Sequence, residues 1–132
     1  MIEKINSDLL ELFKTAKIAS ENAYSPYSGY KVGAAIKTVN GKIFTGSNIE
    51  NASYGATICA ERTAIFKAVS ENELAFQSIA IYVQSSKIFP PCGICRQVIA
   101  EFCHDLIIIF GNDTEIKKSS LKELLPESFT KS

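Results

Sequence analysis

The sequence carries no excess of charge of either sign. Its 132 residues include 14 Lys plus Arg and 14 Asp plus Glu, so the net charge is zero. Bulk charge therefore gives the chain no attraction to nucleic acid or to an anionic membrane surface. The longest purely apolar run, residues 106–110, is far too short to cross a bilayer. The composition thus predicts that neither nucleic acid nor a membrane is a partner.

Targeting segments, internal repeats and low-complexity tracts are also missing. The N-terminus has an amphipathic pattern with acidic residues, which is not the pattern of a secretory signal peptide. The 4 cysteines, without a secretory context, are typical of reduced thiols and predict a cytoplasmic protein. Hydrophobic residues make up 46% of the chain, enough for one core. The length predicts a single domain over residues 1–132.

Hydrophobic periodicity predicts an α/β fold. Apolar residues recur every three or four positions over residues 5–23, which predicts a helix that ends before Ser25-Pro26. Further helices are predicted at 60–71, 93–103 and 120–125, and strands at 32–39, 42–47, 79–83, 106–110 and 115–118. Asn40-Gly41 predicts a type I′ hairpin, and the last two strands are linked too closely to be parallel. The result is a mixed five-stranded sheet flanked by helices.

Two short cysteine stretches provide three sulfurs that can meet at one metal ion. Cys59 begins one predicted helix, while Cys92 and Cys95 lie on one side of the first turn of another. Helix N-termini favour thiolate over thiol. Cys103 lies eight residues past Cys95 in the same predicted helix, about 12 Å along its axis, and one metal cannot bridge that distance. The pattern predicts a zinc ion with three sulfur ligands and an open fourth position.

The residues that follow Cys59 suggest chemistry at that open position. A carboxylate at Glu61 can move protons for a water that the zinc acidifies. Three thiolates leave the site with a net charge of about −1, which Arg62 can offset. A Cys-x-x-Cys redox pair, a structural zinc knot and a non-catalytic zinc-stabilised interaction module are the alternatives. Glu61 distinguishes a catalytic zinc site from these alternatives, because a structural site has no use for a carboxylate beside an open coordination position.

Longer segments of the sequence match one known family. In chain order they are Tyr24-Ser25-Pro26-Tyr27-Ser28 and residues 32–35, 46–54, 57–64, 91–98 and 123–129. Together these segments cover most of the chain, and they resemble the small, homotetrameric, zinc-dependent cytidine deaminases. The resemblance implies the three-layer fold of that family, with one zinc ion per chain. It also implies a homotetramer whose active sites are shared between subunits.

The resemblance further implies an activity and roles for the matched residues. The activity is the hydrolytic deamination of cytidine and deoxycytidine to uridine and deoxyuridine with release of ammonia, a step of pyrimidine salvage. Glu61 would be the catalytic proton shuttle, and Cys59, Cys92 and Cys95 would bind the zinc. Arg62 and Gln97 would lie behind these ligands. The nucleoside would contact Asn48 and Glu50 through its ribose and the backbone of Ala60 and Cys92 through its base. Tyr30 would lie beside the substrate, and Tyr54 and Phe129 would reach the site from neighbouring subunits.

Several of these residues also have plainer interpretations. Asn48 and Glu50 can be loop residues that cap the next turn, and Tyr30, where the family usually has Phe, can be a core aromatic. Two other deaminase classes share the zinc chemistry. Antibiotic deaminases of the blasticidin type lack the Asn-x-Glu pair at 48–50, and a polynucleotide deaminase should carry a basic face. Cys103 is predicted to be buried and inert, and His104 to end a helix without a catalytic role.

Overall fold

The computed structural model describes residues 5–130 and shows helices on both faces of one sheet. The predicted domain also includes residues 1–4 and 131–132, which lie outside the described range. Within that range, every helix is too short or too polar to span a bilayer. The elements are α1 (Ser7–Ser20), β1 (Val32–Thr38), β2 (Ile43–Ser47), a short 3₁₀ helix (Tyr54–Ala56), α2 (Ala60–Ser70), β3 (Phe76–Val83), α3 (Gly93–Phe102), β4 (Ile107–Gly111), β5 (Ile116–Ser120) and α4 (Leu121–Leu124).

The sheet is mixed and five-stranded, as predicted, with the order β2-β1-β3-β4-β5. β1 pairs antiparallel with both β2 and β3, and β4 pairs antiparallel with β5. Only β3 and β4 are parallel, and α3 makes the crossover between them. The loop before α3 therefore starts at the C-terminal end of β3, where mixed α/β sheets commonly bind ligands.

Each face of the sheet packs against helices through its own hydrophobic cluster, so the fold has three layers, namely helix, sheet and helices. Successive side chains of β3 point to opposite faces, so Ala80 and Tyr82 meet α1 while Ile79 and Ile81 face the other helices. On the α1 side, the helix contributes Leu9, Leu12, Phe13 and Ala16. On the opposite side, α2 and α3 contribute Ala60, Ala64, Ile65, Ala68, Ile99 and Ala100.

A glycine lets α2 lie close to the sheet. A Cβ at Gly46 would stand 2.5 Å from the backbone nitrogen of Ala64 and 2.6 Å from the carbonyl oxygen of Ala60. Distances this short are not seen for real side chains, so only glycine permits the first turns of α2 to pack on β2. This contact determines where Cys59 and Glu61 lie, because both belong to the start of that helix.

The β1–β2 hairpin does not contain the predicted type I′ turn. That turn needs positive φ at both central residues, but of Asn40 and Gly41 only Gly41 has it, at 92°. The amide of Gly41 instead donates to the carbonyl of Thr38 at 3.1 Å, and the Lys42 amide donates to Thr38 Oγ1 at 2.9 Å. The buried Thr38 hydroxyl also contacts the side chain of Asn40, so side-chain bonding decides the turn type.

Candidate metal centre and active site

Three cysteine sulfurs converge between the N-termini of α2 and α3. Cys59 is the N-cap residue of α2, Cys92 is the N-cap residue of α3, and Cys95 lies in the first turn of α3. The sulfur of Cys92 lies 3.7 Å from that of Cys59 and 3.3 Å from that of Cys95. All three sulfurs lie within 4.8 Å of one another. Both helix N-termini thus direct their partial positive charge at the cluster.

The spacing of these sulfurs fits a tetrahedral zinc ion. Zinc–sulfur bonds of about 2.3 Å with tetrahedral angles place sulfurs about 3.8 Å apart, whereas a disulfide requires about 2.05 Å. Cys103 lies outside the cluster, and its thiol faces the Phe76 carbonyl at 3.7 Å. The residues present therefore fit one zinc ion per chain, held by three sulfurs.

The electrostatics of the cluster favour a bound cation. A hydrogen bond from Cys95 and another from Arg62 lower the pKa of the Cys59 thiol to about 5. The hydrogen bond to Cys59, together with burial, raises the pKa of the Cys95 thiol far above its usual range. The cluster thus stabilises negative charge on sulfur, which is the form of the ligand that a zinc ion binds. Arg62 Nη2 lies 3.5 Å from the Cys59 sulfur and supplies further positive charge.

Glu61 lies beside the cluster without belonging to it. It occupies the first turn of α2, and only 5% of it is exposed. Burial, followed by the negative charge of Cys59, raises the pKa of its carboxyl to about 7. The structure therefore provides a buried carboxyl group that exchanges protons near neutral pH.

A cavity of about 270 Å³ opens above the sulfurs, and Glu61 lines it. The predicted substrate residues Tyr30, Asn48, Glu50 and Ala60 line it too, so one cavity unites residues from α2 and two loops. Among the described residues of its lining there is no lysine or arginine, whereas Glu50 and Glu61 are acidic. Such a cavity accepts a neutral polar molecule more readily than a phosphorylated one.

Asn48 and Glu50 hold the loop that forms one wall of the cavity. Asn48 Oδ1 accepts from the Val32 amide at 2.9 Å, and its Nδ2 donates to the Tyr30 carbonyl at 2.8 Å. Glu50 Oε1 accepts from the amides of Tyr27 and Ser28 at 2.9 and 3.0 Å, and Oε2 accepts from the Ser28 hydroxyl.

These hydrogen bonds also determine the charge of Glu50. The Ser28 hydroxyl and amide, followed by the Tyr27 amide, hold the pKa of the Glu50 carboxyl below its usual range. Both side chains therefore bind the backbone of an earlier segment, 16 to 23 residues away in sequence, and not the next turn that the plainer interpretation named. Each retains capacity for a further partner, since an amide nitrogen has two hydrogens and a carboxylate oxygen accepts more than one bond.

Tyr30 packs against an aromatic residue that the sequence interpretation did not single out. Its ring meets that of Phe89 edge to face, with centroids 5.5 Å apart. Both rings line the cavity and are about half exposed. The available signal was an aromatic residue directly before Pro90-Pro91-Cys92. The sequence also offered no separate indication for Ser28, whose hydroxyl contacts Glu50 and which lies inside a segment that matches the family.

Three further predicted residues, Tyr54, Phe129 and Gln97, do not line this cavity. Tyr54 is 82% exposed and lines an adjoining cavity of about 380 Å³ together with Glu50. Phe129 is 84% exposed, and its carbonyl accepts from Gln97 Nε2 at 2.5 Å. The predicted roles of these three residues stay predictions.

A sheet with helices on both faces and a three-cysteine zinc centre at two helix N-termini, beside a buried carboxyl, defines a zinc-dependent deaminase. The family described as the cytidine and deoxycytidylate deaminase zinc-binding region matches residues 6–111, and the chain belongs to this family.

Individual relatives match nearly the whole chain. A cytidine deaminase of Halalkalibacterium halodurans is 49% identical over 121 residues, which cover 90% of this chain and 92% of that protein. A cytidine deaminase of Sporosarcina psychrophila is 43% identical over 126 residues, covering 94% and 93%. The crystal structure of cytidine deaminase from Burkholderia pseudomallei matches with a TM-score of 0.87 and 41% identity, covering 95% of this chain and 100% of that one. The predicted fold and family are thereby confirmed.

Proposed function

We propose that this chain is a cytidine deaminase, which hydrolyses cytidine and deoxycytidine to uridine and deoxyuridine and releases ammonia. The proposal rests on one observation, namely that the three-sulfur zinc centre and the buried Glu61 share a cavity with a polar loop. The relatives named cytidine deaminase support the same reaction, since they match nine-tenths or more of the chain. The reaction belongs to pyrimidine salvage.

The protein supplies the proton transfers through Glu61. Cys59, Cys92 and Cys95 would hold the zinc, which would serve as a Lewis acid and lower the pKa of a water molecule. Glu61 accepts a proton from the attacking water and gives it to N3 of the base. It then takes the proton of the new hydroxyl on C4 and gives it to the leaving amine, so that the C4–N bond breaks, the carbonyl forms, and water and cytidine become uridine and ammonia. Arg62 offsets the negative charge of the thiolates from behind. Gln97, two residues after Cys95, takes the supporting position that the family resemblance implies.

The loops around the cavity recognise the nucleoside. Tyr30 and the backbone of Ala60 face the base, while Asn48 and Glu50 bind the ribose. Glu50 stays ionised because three donors hold it, and its remaining lone pairs accept from a sugar hydroxyl. A phosphate group would meet carboxylates instead of cations, which favours free nucleosides over nucleotides and RNA.

The assembly we propose is a homotetramer in the cytoplasm, formed from single-domain chains. Tyr54 and Phe129 leave large aromatic surfaces exposed in the single chain. Burial of such surfaces against other copies stabilises an oligomer, and it brings these two residues to the sites of neighbouring subunits.

The test is the loss of ultraviolet absorbance when purified protein acts on cytidine, with and without prior treatment with a zinc chelator. We expect turnover that the chelator abolishes and added zinc restores. A competition among cytidine, deoxycytidine, cytidine monophosphate and a short cytosine-containing RNA tests the substrate class. Preferential deamination of the RNA would overturn the nucleoside assignment, and no turnover by the zinc-loaded protein would overturn the reaction.

A further inference from the structure

Arg96 joins the metal centre to the C-terminal segment through two hydrogen bonds. Its Nε donates to the carbonyl of Pro91 at 2.7 Å, and its Nη1 donates to the carbonyl of Leu124 at 2.9 Å. Pro91 immediately precedes the ligand Cys92, and Leu124 is the last residue of α4. We propose that Arg96 is a positioning residue of the zinc centre, which braces the backbone ahead of Cys92 against the C-terminal segment.

The backbone ahead of Cys92 needs such a brace. Residues 84–92 contain no helix or strand, and the adjacent Pro90 and Pro91 have no amide hydrogen to donate. At these two positions the backbone can therefore be held only through its carbonyl oxygens or through the side chains. Pro91 is fully buried, and a buried carbonyl requires a donor. Arg96 Nε provides that donor from the first turns of α3.

The other end of the brace is anchored as well. The last carbonyls of a helix lack intrahelical partners and attract positive charge, so the Leu124 carbonyl is a favourable acceptor for a guanidinium. α4 is itself attached to the core, because Leu121 is buried and its amide donates to the Leu106 carbonyl at 2.9 Å. The neighbouring Gln97 holds the same segment farther along, through the carbonyl of Phe129.

The geometry of the side chain makes the connection rigid. A guanidinium is planar and presents its donors in a fixed fork, so the Pro91 and Leu124 carbonyls are kept at a constant separation. A displacement of α4 is therefore transmitted to the residue next to Cys92. Groups that support metal ligands from behind typically change metal affinity by about 10–100-fold when they are removed. The inference needs the zinc centre but not the reaction, so it can succeed or fail independently of the proposed function.

The experiment measures how fast zinc leaves the full-length protein for the chromogenic chelator 4-(2-pyridylazo)resorcinol, while circular dichroism verifies the fold. We expect Arg96→Ala to release zinc about 10-fold faster than the parent. Arg96→Lys keeps the charge but not the fork, and should give an intermediate rate. Lys122→Ala is the matched control, since it removes a positive charge from α4 without touching either hydrogen bond, and should release zinc at the parental rate.

Hydrogen exchange of the amides of residues 121–125 supplies the second measurement. We expect these amides to exchange faster in Arg96→Ala than in the parent. If Arg96→Ala shows faster exchange but parental zinc release, Arg96 anchors only the C-terminal segment, and the proposal is overturned. Faster zinc release with unchanged exchange would overturn the connection to α4. Parental behaviour of Arg96→Lys in both measurements would overturn the proposal that the fixed fork of the guanidinium makes the connection. If Arg96→Ala fails to fold, Arg96→Gln takes its place in both measurements.

Discussion

Replacement of Glu61 by glutamine tests the assignment of proton transfer most directly. Glutamine has nearly the shape of glutamate but cannot accept a proton at neutral pH. Glu61 is buried in the first turn of α2, and the three sulfurs form the metal cluster without it. The variant should therefore keep its fold and its zinc, and should lose only the chemistry.

The expected loss follows from the number of transfers that Glu61 performs. One positioned acid or base typically contributes about 10²–10⁴ to the rate, which corresponds to about 3–5 kcal/mol of barrier. The proposed reaction needs proton transfer from water, to N3 and to the leaving amine. No other carboxyl, imidazole or ammonium group among the described residues lines the same cavity except Glu50, which three hydrogen bonds hold ionised. We therefore expect a loss near the upper limit, about 10⁴-fold in kcat.

The measurement combines three quantities on the same preparations. Cytidine turnover is followed by ultraviolet absorbance, zinc content by elemental mass spectrometry and fold by circular dichroism. Glu71→Gln is the matched control, because Glu71 is an exposed residue at the opposite end of the same helix. The turnover, zinc content and circular dichroism spectrum of this control variant should match those of the parent. Turnover by Glu61→Gln within a few-fold of the parent would show that another group moves the protons.

Four further expectations concern the metal, the sugar, the assembly and the fold. Cys92→Ala should lose zinc while Cys103→Ala retains it, and equal zinc loss in both variants would contradict the three-sulfur centre. Glu50→Ala should lower kcat/KM for cytidine by about 10-fold or more, the effect of losing a hydrogen bond to a charged group, with zinc content unchanged. Light scattering should give the mass of a tetramer, and Phe129→Ala should reduce turnover; a fully active monomer would refute shared sites. Gly46→Ala should lower stability by about 1–3 kcal/mol in urea unfolding, because its Cβ would lie 2.5 Å from the backbone of α2. A parental urea midpoint would mean that α2 shifts at little cost.

The zinc ligands could be predicted from the sequence because their geometry is mostly local. Cys92 and Cys95 are three residues apart on one helical turn, and Cys59 precedes a helix of its own. The regular spacing of apolar residues likewise predicted the helices and strands, since one period corresponds to one kind of element. The prediction of a type I′ turn was wrong for a local reason, because the Thr38 side chain forms hydrogen bonds with the turn backbone and with Asn40.

The tertiary structure determined the contacts between segments that are distant in sequence. Glu50 meets Tyr27 across 23 residues, and Arg96 reaches Leu124 across 28. No periodicity predicts such pairs, because they depend on how the sheet arranges loops that lie far apart along the chain. The same holds for Phe89, which becomes a cavity wall only when Tyr30 is brought beside it. The sequence alone determined which atoms can hold zinc and which elements carry them. The packed sheet decided which loops enclose the metal and what holds those loops in place.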